Sequence, residues 1–449
     1  MGLFTKKASV DFTKGDIVAG LVKFSVPLMI GNLLQQFYNI ADTLIVGRVL
    51  GKEALAAVGS AYTIMVFLTS ILLGLIMRIV SFLTIQHGRQ DSESFAGGNF
   101  MSFVLIGALA AVMNGAVYLG MDGILGLLQI PREVYGDMRS YVEVVYGGIM
   151  AVFLYNYFAN CLRAVGDSLT PLIFLGISAL LNVGLDVLFV AVLPFGIRGA
   201  AAATVISQYV SGIGIWVYTW KMVPVFRFEK SQMKFRRKIL KSILSLSVLT
   251  SLQQSIMNFG ILMVQGLVNS FGTNVMAAFS AAVKIDTFAY SPVQDFGNAF
   301  STFVAQNHGA GERERIRTGG RKAVLAVLLF CGVVSLAVAV CAPVLMRIFV
   351  EDHLVVDIGT KYLRIEGTFY CLIGFLFLFY GYFRAVERPV VSVVLTVVSL
   401  GTRVALSYML SGIPSIGYVG IWVSIPAGWI LADLAGVYFL GKKRGTFHG

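Results

Sequence analysis

The sequence predicts an all-α integral membrane protein, twelve transmembrane helices arranged as two pseudo-symmetric six-helix lobes. Three observations predict it: a composition too apolar for water, twelve apolar runs of membrane-crossing length, and a repeat that lays the first half of the chain on the second. Of 449 residues, 57% are hydrophobic and 13% charged, and the mean hydropathy is +0.81. Soluble domains carry about 25% charged residues, so lipid is the main solvent for this chain. Channels, transporters and membrane enzymes remain as classes.

A helix needs about 20 apolar residues to cross the hydrocarbon. Runs of that length, cut by charges or by Gly and Pro, fall at 18–46, 54–86, 97–120, 138–162, 169–193 and 199–222 in the first half. The second half supplies 239–270, 275–306, 319–349, 360–384, 389–412 and 418–440. The polar start, MGLFTKKASVDFTKGD, lacks the apolar core of a cleavable signal, so the first run is itself expected to span.

Lys and Arg fix the expected orientation, because positively charged loops stay cytoplasmic. With the cations at the span edges (Lys221, Lys241, Arg321, Lys322 and Arg384 on one side, Arg347 and Lys361 on the other) included, the tails and even-numbered loops hold 23 of them, the odd-numbered loops 6. Both termini are therefore expected in the cytoplasm, with the protein in the inner (plasma) membrane. The longest polar connection is basic (Arg227, Lys230, Lys234, Arg236, Arg237, Lys238) and divides the chain into a first lobe at 1–222, a cytoplasmic loop at 223–238 and a second lobe at 239–449. A shift of 221 positions places Leu50-Gly51 on Phe271-Gly272, His87-Gly88 on His308-Gly309, Arg163-Ala164-Val165 on Arg384-Ala385-Val386, and Gly199 on Gly420. Six spans per half, an even number, bring both halves in from the same side, the arrangement of parallel-repeat transporters with a cleft between two lobes.

Polar side chains in hydrocarbon cost several kcal/mol when unpartnered, so those inside the spans mark candidate sites. In the first span Gln35, Asn39 and Asp42 share one helical face, with Gln36 beside it, and Pro27 removes a backbone hydrogen bond where the helix can bend. The fifth span carries Asn182 and Asp186 at i, i+4, and Thr204 of the sixth can add a hydroxyl. Two carboxylates with amide and hydroxyl oxygens nearby suit a proton or a hard monovalent cation. The seventh span has a polar stripe that includes Gln254 and Asn258 but no acid, and the eighth holds Lys284, Asp286 and Asp295. Lys284 and Asp286, two apart, do not share a face, which leaves ion pairing with other helices and substrate contact both open. Tyr38 and Tyr155 are candidates to line an apolar, cation-attracting chamber, and Arg78 is either a snorkelling cation or a gate.

Other polar residues read as structural. His87 and His308 mark turns where the chain leaves the membrane, and Glu143 and Glu366, near the outer ends of the fourth and tenth spans, are expected to face water. The four cysteines lie in apolar runs without CxxC spacing and read as small core residues. The positive excess is not gathered on a polar domain, which excludes a nucleic-acid partner. HExxH, GxSxG and GxxxxGK are absent, so hydrolase and ATP-driven pump readings have no residues to carry them. No cofactor is expected, and no metal beyond a coupling sodium ion.

Taken together, Pro27 and Asp42 in the first span, LGKEALAAVG after it, LRAVGDSLTP leaving the fourth, NVGLD in the fifth and FSTFVAQNHGAGERERI in the eighth resemble the multidrug and toxin extrusion (MATE) family over essentially the whole chain. The resemblance implies a V-shaped pair of lobes within a wider superfamily of flippases, exporting cationic amphiphilic compounds in exchange for H+ or Na+. The sequence is similar to the DinF-type branch, which implies a cation site at Asp42, Asn182, Asp186 and Thr204, with Pro27 as the bending element. The second-lobe carboxylates of the sodium-coupled NorM-type branch find no counterpart in the seventh span or in the tenth before Arg384. A substrate chamber is expected at Gln35, Gln36, Tyr38, Asn39, Tyr155, Gln254, Asn258, Lys284 and Asp286, and a monomer is expected. The competing reading is a lipid-linked oligosaccharide flippase, kept open by cations in or beside the spans: Lys23, Arg78, Arg139, Lys284, Arg364 and Arg403.

Overall fold

The structure, a computed structural model, describes residues 10–127, 132–227, 263–350 and 352–442, together with 253, 256–257 and 259–261 of the seventh span. Arg78 lies in a helix, but its side chain falls outside the described ones. The described residues are almost wholly helical and contain no strand. Backbone N–H and C=O groups find no partner in hydrocarbon, so each span must close its own hydrogen bonds as a helix.

The first half forms α1 (Ile17–Val49), α2 (Lys52–Arg89), α3 (Ser92–Leu127), α4 (Arg132–Val145), α5 (Ile149–Ala164), α6 (Leu169–Asp186) and α7 (Gly196–Met222). The second forms α8 (Thr273–Ala310), α9 (Arg313–Phe349), α10 (His353–Gly367), α11 (Tyr370–Ala385), α12 (Pro389–Ser411) and α13 (Val419–Lys442). Among the described residues, eight helices are long and apolar enough to cross a membrane, or nine if α10 and α11 count as one span bent by 52°. Of the remaining expected spans, α2 and α8 run 38 residues each, about 57 Å at 1.5 Å per residue.

Backbone geometry repeats at the shift seen in the sequence. Gly51 and Gly272 precede α2 and α8 at φ 90° and 92°. Where α2 ends, Gln90 N–H donates to His87 O at 3.1 Å and Asp91 N–H to Gln86 O at 3.1 Å; where α8 ends, Gly311 N–H donates to His308 O at 3.3 Å and Glu312 N–H to Asn307 O at 2.9 Å. These paired caps satisfy the carbonyls a helix end orphans; His87 and His308 themselves lie in the last helical turn of α2 and α8, not in the loops that follow. The fourth span breaks at the 3-10 turn Tyr146–Gly148, and the tenth at 367–369, the equivalent positions.

Contacts between Cα atoms divide the chain into two units, one of Met1–Asp11 and Val26–Ser247, the other of Phe12–Ser25 and Val248–Gly449. The boundary therefore falls within α1, beside Pro27, and again between Ser247 and Val248, inside the seventh expected run rather than in the basic connection before it. In the first unit α2 packs on α3, α4 and α5, while α7 packs on α4, α5 and α6. The second unit repeats the pattern, α8 on α9, α10 and α11, and α13 on α10, α11 and α12. Its core centres on buried Trp422, stacked on Phe279 at 5.4 Å and met edge-on by Tyr362 at 4.9 Å. Offset and edge-to-face rings add about 0.5–1.5 kcal/mol to their area burial.

The segment before α1 is held within each unit separately. Val10 N–H donates to Gly166 O at 2.9 Å. Phe12 N–H donates to Gln306 Oε1 at 3.1 Å, and Arg315 donates to the carbonyls of Phe12, Lys14 and Gly15 at 2.7–2.8 Å. Gly166 sits at φ +89°, and a Cβ there would lie 2.1 Å from Val10 O. Only glycine admits both the conformation and the approach.

The cysteines are not uniformly core. Cys161 and Cys331 are buried, Cys371 is half-buried and Cys341 is exposed on α9, whose outer face also presents Leu336, Val340 and Val344. A thiol is apolar enough to face lipid as readily as core, which is why an apolar run did not distinguish the two.

A candidate cation site in the first unit

Four side chains named from spacing converge within the first unit. Asp42, on the fifth turn past Pro27, and Asp186, the last residue of α6, face each other. Asn182, one turn before Asp186, donates from Nδ2 to Thr204 Oγ1 of α7 at 3.4 Å. Thr204 in turn donates to Ala200 O at 3.2 Å, so the same oxygen joins Asn182 to the backbone of α7. Asp186 is 0% exposed and Asn182 2%.

The cluster is rich in oxygen and poor in donors. Asp42 Oδ1, Asn182 Oδ1 and both carboxylate oxygens of Asp186 are buried with no hydrogen-bond partner. Buried polar atoms are ordinarily partnered, and two carboxylates this close share a site stably when a positive charge lies between them. A proton or a small monovalent cation meets that need with these ligands. The residues present therefore fit either coupling ion.

Two features of the cluster were not read from the sequence. Tyr141 of α4 is buried against Asp42, Asp186, Tyr38 and Thr204; tyrosine is common in this chain, and only its recurrence as Tyr362, 221 positions on, singles it out. Immediately after Asp186 the helix widens to a π-helix over Val187–Val192. Such segments are rare and cluster at functional sites, and here the change of winding begins at the acid.

The other expected site residues are dispersed. Gln35 and Gln36 are exposed on α1, whereas Tyr38 and Asn39 are half-buried. Tyr155 donates to Pro171 O at 3.0 Å and ties α5 to α6. Gln254 and Asn258 lie outside the described residues. Lys284 is exposed while Asp286, two residues on, is 2% exposed and accepts from the Tyr370 hydroxyl. α1 runs unbroken through Pro27.

Glu366 requires a correction. Expected to face water at a span end, it is 5% exposed, one residue before the tenth span breaks after Gly367. It meets Asp286, Tyr362 and Arg403, so the tenth span does carry a buried acid before Arg384. Glu143 behaves as expected, exposed and 3.5 Å from Arg198. Asp433 was not singled out: it is 8% exposed on α13 with both carboxylate oxygens unpartnered, and a lone acid in an apolar run was the available signal. Of the cations that kept the flippase reading open, Arg139 pairs with Asp122 at 2.9 Å, Arg364 donates to Ala339 O at 3.3 Å and Arg403 faces acids.

Among the described residues, membrane-length helices, a duplicated frame and a buried oxygen cluster mark a multi-pass membrane protein. The MatE family profile matches the chain twice, over residues 27–188 and 247–409, once in each half. The chain is 31% identical to a probable multidrug resistance protein of Bacillus subtilis, YpnP, over 97% of both chains. It is 24% identical to a FAD transporter of Shewanella oneidensis over 94% of each. Among solved structures it matches a MATE protein in the bent conformation with a TM-score of 0.90 at 24% identity, over 98% of each chain, and a MOP superfamily transporter from Pyrococcus furiosus with a TM-score of 0.88. The chain belongs to the MATE family, and with it to transporters rather than enzymes.

Proposed function

We propose that the protein is a secondary active multidrug exporter of the plasma membrane, with both termini cytoplasmic, exchanging cationic amphiphilic compounds for H+ or Na+ by alternating access. The observation that carries this reading is the convergence of Asp42, Asp186, Asn182 and Thr204 with four unpartnered oxygens. The names of the Bacillus subtilis relatives, both probable multidrug resistance proteins, support the substrate class. With the carrier open outward, the ion neutralises the carboxylate pair and the first span repacks, displacing substrate. Release to the cytoplasm restores the charged pair and the affinity for a cation. Such coupling requires that ion and substrate favour different states, since a ligand shifts an equilibrium only by its differential affinity.

The test is efflux of ethidium from proteoliposomes under a pH gradient and a sodium gradient imposed separately, for the wild type and Asp42→Asn. One gradient should drive export in the wild type and neither in the variant. Export that ignores both gradients, or an Asp42→Asn protein with unaltered coupling, overturns the reading. A protein that moves no cationic dye but translocates a lipid-linked oligosaccharide is the flippase instead.

A further inference from the structure

A second pair of buried carboxylates lies in the other unit. Asp286 of α8 and Glu366 of α10 face each other, each with one oxygen, Asp286 Oδ2 and Glu366 Oε2, buried and without a hydrogen-bond partner. The groups that face the pair are Tyr290 from α8, Tyr362 from α10, Tyr370 from the first position of α11 and Arg403 from α12. Tyr370 donates to Asp286 Oδ1.

The duplication gives this cluster its meaning. Advanced by 221 positions, Tyr141 becomes Tyr362, Asn182 becomes Arg403 and Asp186 becomes Ser407, which lies 2.6 Å from Ser424. The second unit thus rebuilds the first unit's site with its acids on two other helices, and with a guanidinium where the first offers an amide oxygen. Arg does not deprotonate in proteins. It is a tethered cation at the place where the first unit has a ligand for an exchangeable one.

Charge counting then selects the ion. Two carboxylates and one guanidinium leave a single negative charge in a water-poor core, and a metal cation would have to approach the guanidinium to neutralise it. A proton shared by the two carboxyls neutralises it without that repulsion, as in other carboxyl pairs at close quarters. We propose that the second unit holds one exchangeable proton shared between Asp286 and Glu366, with Arg403 as its fixed counter-ion. When the proton leaves to water, two carboxylates remain where there was one carboxyl and one carboxylate. Their repulsion acts between α8 and α10 at the break of the tenth span, and Tyr370 ties α11 to the same acid. Loading and unloading therefore set how the bent pair α10–α11 seats on α8. The inference is independent of what the protein exports.

Infrared difference spectroscopy on the full chain in liposomes tests it, in a background of Asp42→Asn, Asp186→Asn and Asp433→Asn that silences the other acids with unpartnered buried oxygens. A protonated-carboxyl C=O band should be present, vanish as pH is raised, and be absent with Glu366→Gln or Asp286→Asn. Glu366→Asp, which keeps the acid, should retain the band at a shifted frequency. Arg403→Gln should about double its intensity by drawing a second proton onto the pair. If the triple background misfolds, the difference between wild type and Glu366→Gln reads the same band. A background protein with no such band at any pH, or a band that survives both Glu366→Gln and Asp286→Asn, overturns the proposal.

Discussion

Tyr362 stands in the second half where Tyr141 stands in the first, 221 positions earlier, and each buried ring faces a pair of carboxylates. The tyrosine is a shared fixture of two sites whose acids come from different helices, α1 and α6 in one unit, α8 and α10 in the other.

Tyr141→Phe keeps the ring and removes the hydroxyl, so packing of α4 should survive while the first unit's cluster loses a donor. The hydroxyl bonds Thr204, and a neutral hydrogen bond contributes about 0.5–1.5 kcal/mol, or about two- to tenfold in affinity. The concentration of coupling ion that gives half-maximal ethidium export should rise by that factor, with membrane insertion unchanged.

Asn182→Ala removes an amide oxygen from the cluster and leaves Thr204 Oγ1 without its donor. Ion-driven export should fall more than about tenfold, and Asn182→Asp should restore part of it by returning an oxygen ligand. Equal activity of Asn182→Ala and wild type under a limiting gradient would remove this side chain from the site.

Gly166→Ala places a Cβ at φ +89° and into Val10 O. The left-handed conformation alone costs about 1–2 kcal/mol, so detergent melts should shift down by several degrees. In the second half Glu387 holds the equivalent turn at φ +59°. Glu387→Gly should therefore raise stability or leave it level, the opposite sign at matched positions.

Arg315→Ala deletes three donations to the carbonyls of Phe12, Lys14 and Gly15, each contributing about 1 kcal/mol net. Amide exchange and proteolysis of residues 10–16 should quicken, while the middle of α8 stays protected. Arg315→Lys, a point charge without the planar fork, should restore only part of the protection.

The Asp16 carboxyl, ahead of α1 and exposed, accepts from Ala19 N–H at 2.8 Å. That bond, with Lys322 Nζ at 3.6 Å, holds it below the usual carboxylate range. A group whose folded value is depressed stabilises above its unfolded value and loses that effect as pH falls through the folded one. The melting difference between wild type and Asp16→Asn should be full at neutral pH and close in acid. A difference that grows as pH falls would contradict this sign.

Much of the fold was readable because hydrocarbon imposes one rule everywhere. Apolar runs of about 20 residues located the spans, and Gly51, His87 and their counterparts marked their ends. The first unit's cluster was readable because Asp42, Asn182 and Asp186 are costly in lipid and keep helical spacing. Glu366 faces no water because it packs against Asp286, Tyr362 and Arg403 of other turns and helices, partners that spacing within one run does not reveal. Tyr141 was overlooked for another reason: an aromatic costs nothing in lipid, so its position carries no signal until the acids around it are placed. Asp433 shows the limit of looking for clusters, since its isolation is what made it easy to pass over.

The matched caps after His87 and His308 bear on ancestry. The backbone bonds that end α2 recur at the end of α8, while Asn182 and Arg403, at matched positions, have opposite electrical roles. Retained backbone caps with a changed side chain at a matched position are the pattern a duplicated sequence leaves, the scaffold kept in both halves while the polar residues within it diverge.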